Sequence, residues 1–132
     1  MKKADIEKQQ FSCPLQKQGC GGCPMLALPY EEQLRKKQKK IKRLLGNFGK
    51  PQSIIGMENP WHYRNKAIST FTYVKGKQVQ SGIYAQGTHW VIPVETCLLH
   101  QPVLDEAIEA VRKAVREFKY PVYDEDKKTG LV

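Results

Sequence analysis

All four cysteines of this chain fall into a pattern that suits metal binding. Cys13, Cys20 and Cys23 lie within one short loop, CPLQKQGCGGC, and Cys97 lies far downstream. Two glycines separate Cys20 from Cys23, and glycine lets a backbone turn tightly enough for two sulfurs to face one centre, because it tolerates positive φ. Four thiolates suit an iron–sulfur cluster and a structural zinc ion equally, so the number of ligands does not separate the two.

The spacing of the cysteines favours a cluster over zinc. A zinc ribbon or knuckle usually presents two CxxC pairs, whereas Cys13 and Cys97 belong to no such pair. Three clustered cysteines with a remote fourth are a common way to hold a cubane cluster. Zinc remains the second interpretation, and uncoordinated thiols or a redox pair the third. The three histidines are left out of the site because a lone histidine is more often a surface or core residue; they are His62, His89 and His100.

Two amphipathic helices are predicted to frame the chain. The first begins at Pro29, and its apolar face is formed by Tyr30, Leu34, Ile41, Leu45 and Phe48. Its outward face is strongly basic, with Arg35, Lys36, Lys37, Lys39, Lys40, Lys42 and Arg43. Glu31 and Glu32 are placed to pair with Arg35 and Lys36 at the i+4 position. The second helix begins near Pro102 and carries an apolar stripe of Leu104, Ile108, Val111, Val115 and Phe118.

A β-rich region lies between and after these helices. The predicted strands are Ser53–Met57, Ile68–Lys75, Val79–Tyr84, His89–Val94 and Tyr120–Tyr123. Lys75-Gly76-Lys77 reads as a hairpin turn, Ala85-Gln86-Gly87 as a second turn, and Pro93 indicates an edge strand. We therefore predict an α+β fold with a mainly antiparallel sheet, two amphipathic helices and an N-terminal cysteine-rich loop. Residues 1–28 are expected to form a flexible N-terminus with the metal loop, and residues 29–132 an α+β RNA-binding domain.

The charge of the chain favours a polyanionic partner. With 22 Lys and Arg against 13 Asp and Glu, the net charge is +9 and the pI about 9.4, which favours nucleic acid first and an acidic membrane surface second. No stretch is apolar enough for a membrane span, and the N-terminus lacks the apolar core of a secretory signal. A cytoplasmic location is expected. No Walker loop, GxGxxG or nucleophile elbow is present, so no catalytic residue is assigned.

One stretch suits single-stranded RNA. Trp61-His62-Tyr63-Arg64-Asn65-Lys66 combines aromatic faces for base stacking with cations for phosphates. A structural interpretation is equally open, in which Trp61 and Tyr63 pack in the core and the cations are only solvated. The candidate RNA-binding residues are Lys36, Lys39, Arg43, Tyr63, Arg64 and Lys66.

Four motifs in order resemble a known family. CPLQKQGCGGC, PYEEQLRKKQ, PWHYRNKA and ETCLLH are similar to motifs of the iron–sulfur-containing RNA (uracil-5-)-methyltransferases, which act on rRNA or tRNA. The resemblance runs from about Ser12 to Val132. It implies that Cys13, Cys20, Cys23 and Cys97 ligate a [4Fe–4S] cluster. It also implies a central domain that in the family lies between an N-terminal TRAM module and a C-terminal methyltransferase domain.

The expected function follows from this resemblance. The chain is expected to be a fragment of an S-adenosylmethionine-dependent enzyme, in which it holds the cluster and helps to bind RNA. S-adenosylmethionine would bind only in the full-length enzyme, and this fragment would be a monomer that contacts the C-terminal methyltransferase domain. The alternative is a zinc-stabilised RNA-binding module with no enzymatic parent. An electron-transfer protein of the ferredoxin type is less favoured, because such proteins are commonly acidic.

Overall fold

The computed structural model describes residues 13–74 and 78–131. The helices are α1 (Pro14–Lys17), α2 (Tyr30–Leu45) and α3 (Pro102–Glu117), and the strands are β1 (Thr70–Val74), β2 (Gln78–Tyr84) and β3 (Val91–Pro93). These elements form two compact units. One contains Cys23–Glu58 together with Cys13, and the other contains Pro14–Gly22 and the described residues from Asn59 onward. The predicted boundary between residues 28 and 29 stays a prediction.

The first unit is built on α2 and the extended segment that follows it. The α2 helix confirms the prediction from periodicity, and it ends where Gly46 begins the stop signal. Residues 51–57 return along the apolar side of the helix, where the Tyr30 hydroxyl accepts a hydrogen bond from the Met57 N–H at 2.9 Å. A Cβ on Gly56 would lie 2.7 Å from Leu34 Cδ1. A larger residue at position 56 would therefore need the Leu34 side chain to shift.

The predicted strand Ser53–Met57 is wrong, because its partner is a side chain instead of another strand. The Gln38 amide accepts from the Ile54 N–H at 2.6 Å and donates to the Gln52 carbonyl at 3.1 Å. One glutamine thus satisfies a donor and an acceptor two residues apart, as a neighbouring peptide group would. The segment has strand-like composition and exposed, extended backbone without belonging to a sheet.

The second unit contains a three-stranded antiparallel sheet in the order β1-β2-β3. The pairing of Val74 with Gln78 agrees with a hairpin between β1 and β2, while the predicted turn Lys75-Gly76-Lys77 lies outside the described residues. Pro93 ends β3, which is an edge strand as predicted. Gly82 of β2 is required by close strand contact, because a Cβ there would overlap the Ile92 carbonyl oxygen.

The α3 helix packs against β2 and closes the core of this unit. Val79 of β2, Val115 of α3 and Val122 are buried together, and Phe71 of β1 packs against them. Tyr120–Tyr123 is not a strand, in contrast to the prediction. The Val122 N–H donates to the Tyr73 hydroxyl at 3.1 Å, so a side chain takes the bond that a strand would have taken.

Arg112 fixes α3 to the sheet from within the core. Its side chain is buried and donates to Ser81 Oγ at 3.0 Å, to the Val94 carbonyl at 2.9 Å and to Glu109 Oε2 at 2.6 Å. A buried guanidinium is tolerated when its donors are paired in this way. None of the helices in the described residues is long and apolar enough to cross a membrane.

Candidate functional site

The structure shows all four cysteines as partly buried thiols. Cys13 and Cys23 belong to the first unit, and Cys20 and Cys97 to the second. Cys20 follows the single turn of α1 and donates its N–H to the Leu15 carbonyl at 3.1 Å. It also forms an isolated antiparallel bridge with Ala85, just after β2. The sheet of the second unit therefore fixes the backbone of Cys20.

The glycines between Cys20 and Cys23 act differently from the prediction. Neither Gly21 nor Gly22 has a positive φ; in this loop Gly19 does, at 83°. Gly21 instead lies close to neighbouring backbone, because a Cβ there would be 3.2 Å from the Tyr84 carbonyl oxygen and 3.4 Å from Gln86 Cα, and a larger residue would need a small backbone shift. The glycine pair thus allows the loop to lie against the end of β2.

The backbone at Cys97 is held by the start of α3. Asp105 Oδ2 accepts a hydrogen bond from the Cys97 N–H at 2.9 Å, and Asp105 Oδ1 lies 2.7 Å from His100 Nδ1. The His100 side chain is only 3% exposed, and that of Asp105 12%. One carboxylate therefore fixes both the peptide of a candidate ligand and a buried imidazole three residues later.

The region around His100 is joined to the PWHYRNKA motif. His62 Nδ1 donates to the His100 carbonyl at 2.6 Å, and the His62 N–H donates to the Leu98 carbonyl at 3.0 Å. Arg64 continues this contact by exchanging backbone bonds with Leu99 and Gln101. The motif thus supports the segment that carries Cys97.

The donor set suits a four-thiolate centre. In residues 13–74 and 78–131, no group of three or more His, Cys, Asp or Glu side chains is placed as ligands of one metal ion. The assignment of Cys13, Cys20, Cys23 and Cys97 as metal ligands stays a prediction.

The basic side of α2 is exposed along its whole length. Lys36, Lys39 and Arg43 are exposed, and at 100° per residue they fall within an arc of about 60°. The centre of this arc lies roughly opposite the side that contacts residues 51–57. The pairs of Glu31 and Glu32 with Arg35 and Lys36 are not formed, since the ion pairs of the described residues all lie in the second unit. Exposed pairs of this kind are worth little and cost side-chain entropy.

The other candidate RNA-binding residues lie in the second unit. Tyr63 is 47% exposed, Lys66 is exposed and Arg64 is partly buried. Trp61 is partly buried. Its backbone N–H donates to Asn59 Oδ1 at 3.2 Å, so the Asn59 side chain closes a short turn. Tyr63 and Lys66 are thus accessible, while Arg64 is more strongly tied to the fold.

Sequence reasoning missed Gln38 and Asp105. Gln38 was one polar residue among many in α2, and no sequence pattern marks it as a mimic of a strand. Asp105 lies in the first turn of α3, and no sequence pattern marks it as the partner of Cys97 and His100. Its separation of eight residues from Cys97 gives no sequence signal that the two residues are in contact.

Comparison with known proteins gives the family context. No family model matches the chain. The chain is 34% identical to an uncharacterized RNA methyltransferase of Enterococcus faecalis, over 99% of its own length. It is 32% identical to RNA methyltransferases of Halalkalibacterium halodurans and Bacillus cereus, over all of its length. The chain is related to RNA methyltransferases.

The relationship has a defined extent. The chain spans about 30% of the length of these relatives. The predicted resemblance to RNA methyltransferases is confirmed. The names of these relatives state methylation of RNA without the base or the atom.

Proposed function

We propose that this chain is part of an S-adenosylmethionine-dependent RNA (uracil-5-)-methyltransferase, in which it holds a [4Fe–4S] cluster and binds the substrate rRNA or tRNA. The observation that carries this proposal is the similarity to RNA methyltransferases along the whole chain. The assignment to uracil C5 comes from the four motifs in order. Methyl transfer and S-adenosylmethionine binding belong to parts of the enzyme other than these residues.

The proposed cluster ligands are Cys13, Cys20, Cys23 and Cys97. Four thiolates are the usual ligand set of a [4Fe–4S] cluster, which when bound supplies metal–thiolate bonds that stabilise the fold. The chain's own contribution is to hold the backbone of its ligands. Asp105 does so at Cys97, and the pairing with Ala85 does so at Cys20.

The proposed RNA surface on α2 consists of Lys36, Lys39 and Arg43. These cations are exposed and have no ion-pair partner among the described residues. They are therefore available for phosphates, and a helix face with unpaired cations attracts a polyanion at long range. Tyr63, Arg64 and Lys66 extend the proposed contacts to the second unit, with Tyr63 offering a face for base stacking.

The wider setting belongs to the same proposal. The chain acts in the cytoplasm as a monomer and contacts the methyltransferase domain of its parent enzyme. The domain limits, residues 1–28 and 29–132, are proposed together with these contacts.

The RNA surface is tested by charge reversal on α2. The variant carries Lys36→Glu, Lys39→Glu and Arg43→Glu, and its affinity for a fluorescein-labelled single-stranded RNA is measured by anisotropy at several salt concentrations. Each lost phosphate contact lowers the slope of log affinity against log salt by about 0.7. Three lost contacts should therefore flatten the slope by about 2.

A matched control variant shows whether RNA affinity depends on which residues of α2 are changed or only on the net charge of the helix. The control variant carries Arg35→Glu, Lys37→Glu and Lys42→Glu, which changes the same number of Lys and Arg on the same helix. It should retain most of the affinity and of the salt slope. Equal losses in the two variants would show that only net charge matters, and unchanged affinity in the first would contradict the proposed surface.

A further inference from the structure

A cavity in the second unit lies between α3 and the β1–β2 pair. Its volume is about 570 Å³, within the range of small-molecule sites. Its floor is apolar, formed by Val79 and Val115 of the core. Tyr73 and Tyr120 add aromatic rings to its lining, and they are 48% and 45% exposed.

Two cations line the same cavity. Arg116 donates from Nε and Nη2 to the Val79 carbonyl, at 2.9 and 2.6 Å, so its guanidinium is held in place. Its other three N–H groups have no partner among the described residues. Lys119 likewise has no ion pair within the described part of the chain. The described lining of the cavity contains no carboxylate.

Lys119 occupies a position that normally belongs to glycine. It follows the last turn of α3 with φ 54°, in the left-handed region. The Tyr120 N–H donates to the Val115 carbonyl at 3.1 Å, and the Lys119 N–H to the Arg116 carbonyl at 3.3 Å. These two bonds define a Schellman motif, in which glycine is the favoured residue. A lysine costs stability there, and such a cost is often retained at binding sites.

We propose that this cavity binds one nucleotide of a single-stranded RNA. The phosphate would lie against Arg116 and Lys119, because a fixed guanidinium and a nearby ammonium suit a phosphate dianion or diester. The base would lie against Tyr120 or Tyr73, since aromatic faces stack on unpaired bases. That the nucleotide belongs to RNA rests on the proposed function, while the site itself rests on the cavity and its cations.

The test titrates the full 132-residue chain with uridine monophosphate, inorganic phosphate and a labelled uridine ten-mer. Binding is followed by backbone amide shifts in NMR spectra and, for the ten-mer, by anisotropy. The central variant is Lys119→Gly. Its matched control is Lys128→Gly, because Lys128 has the same φ of 54° and does not line the cavity.

The two variants should have the same effect on stability and different effects on binding. Both should raise the melting temperature, because glycine relieves the left-handed strain in each case. Only Lys119→Gly should weaken the binding of uridine monophosphate, by about fivefold, as expected for the loss of one solvent-exposed charge pair. Lys128→Gly should leave the affinity within about twofold. A loss of binding in a more stable protein cannot come from unfolding.

The amide shifts show where the ligand binds, and the comparison of ligands shows whether the base contributes to binding. Uridine monophosphate should shift the amides of Gln78 and Tyr120, and inorganic phosphate should bind more weakly. No shift at these residues, or equal losses in both variants, would overturn the site. Phosphate that binds as tightly as the nucleotide would overturn the base contact.

The test of the cavity and the test of the α2 surface can fail independently. If charge reversal on α2 leaves RNA affinity unchanged while uridine monophosphate still shifts Tyr120, the proposed α2 surface fails and the cavity stands. If α2 carries the RNA affinity and the cavity binds nothing, only the present inference fails.

Discussion

Replacing Asp105 by alanine tests how the backbone at Cys97 is held. The change removes the carboxylate that accepts from the Cys97 N–H at 2.9 Å and lies 2.7 Å from His100 Nδ1. Hydrogen bonds to a charged acceptor contribute about 1.5–3 kcal/mol each. Losing two such bonds would therefore lower the free energy of unfolding by at most about 6 kcal/mol.

The expected loss is smaller than this bound. Cys97 is partly buried, so water can replace part of its lost bond. His100 is 3% exposed, so its ring N–H would lose its partner in a buried site. We therefore expect the free energy of unfolding to fall by about 2–4 kcal/mol, a large share of the roughly 5–15 kcal/mol typical of a domain.

The assay is urea unfolding of the metal-free, reduced chain, followed by far-UV circular dichroism. Glu106→Ala is the control, since Glu106 is the next residue along α3 and is exposed; its effect should stay within about 0.5 kcal/mol. Asp105→Asn retains one acceptor oxygen and should lose about half as much as the alanine variant. A loss below about 1 kcal/mol in Asp105→Ala, or one equal to that of the control, would refute the reasoning.

Three further predictions concern other parts of the fold. Gln38→Ala should release residues 51–57 and speed amide exchange at Ile54, whereas Gln38→Glu keeps the acceptor and should retain part of the protection at Ile54; unchanged exchange in Gln38→Ala would contradict the proposed pairing. Gly82→Ala should lower the urea midpoint strongly, because its Cβ would overlap the Ile92 carbonyl; Gly22→Ala, whose Cβ meets only ordinary contacts at 3.6 Å or more, serves as its control. Hydrogen bonds from the Lys127 side chain and backbone hold the pKa of Asp124 below its usual value, so Lys127→Met should raise that pKa in an NMR titration. The stabilisation from this pair is present above the unfolded-state pKa of Asp124 and is lost as pH falls through the folded-state pKa.

The helices and the hairpin strands could be predicted because their patterns are local. The apolar positions of α2 and α3 repeat at helical spacing, and β-favouring residues form β1 and β2 on either side of the sequence Lys75-Gly76-Lys77. The two wrong strands share one cause. Both segments, Ser53–Met57 and Tyr120–Tyr123, contain β-favouring residues. Their backbone N–H groups bond to the side chains of Gln38 and Tyr73, respectively, instead of to a neighbouring strand. Composition does not show which group a backbone N–H will bond to.

The candidate site could be predicted in part. Cysteine spacing and charge identify residues that suit a metal and RNA, because these properties belong to the residue types themselves. The network of Asp105, His100 and Cys97 depends on how the start of α3 meets the preceding loop, which is a tertiary contact. The role of Gly21 was also missed, since its reason is the nearby Tyr84 carbonyl and not its own φ.

The most direct test of the central claim is the iron and acid-labile sulfide content of the chain after purification without oxygen. We expect about four iron and about four sulfide per chain, both lost when Cys20 or Cys97 is replaced by serine. A visible spectrum of the same sample should show the broad absorption of a cluster. Zinc as the only metal, together with failure to reconstitute a cluster from iron and sulfide, would contradict the account.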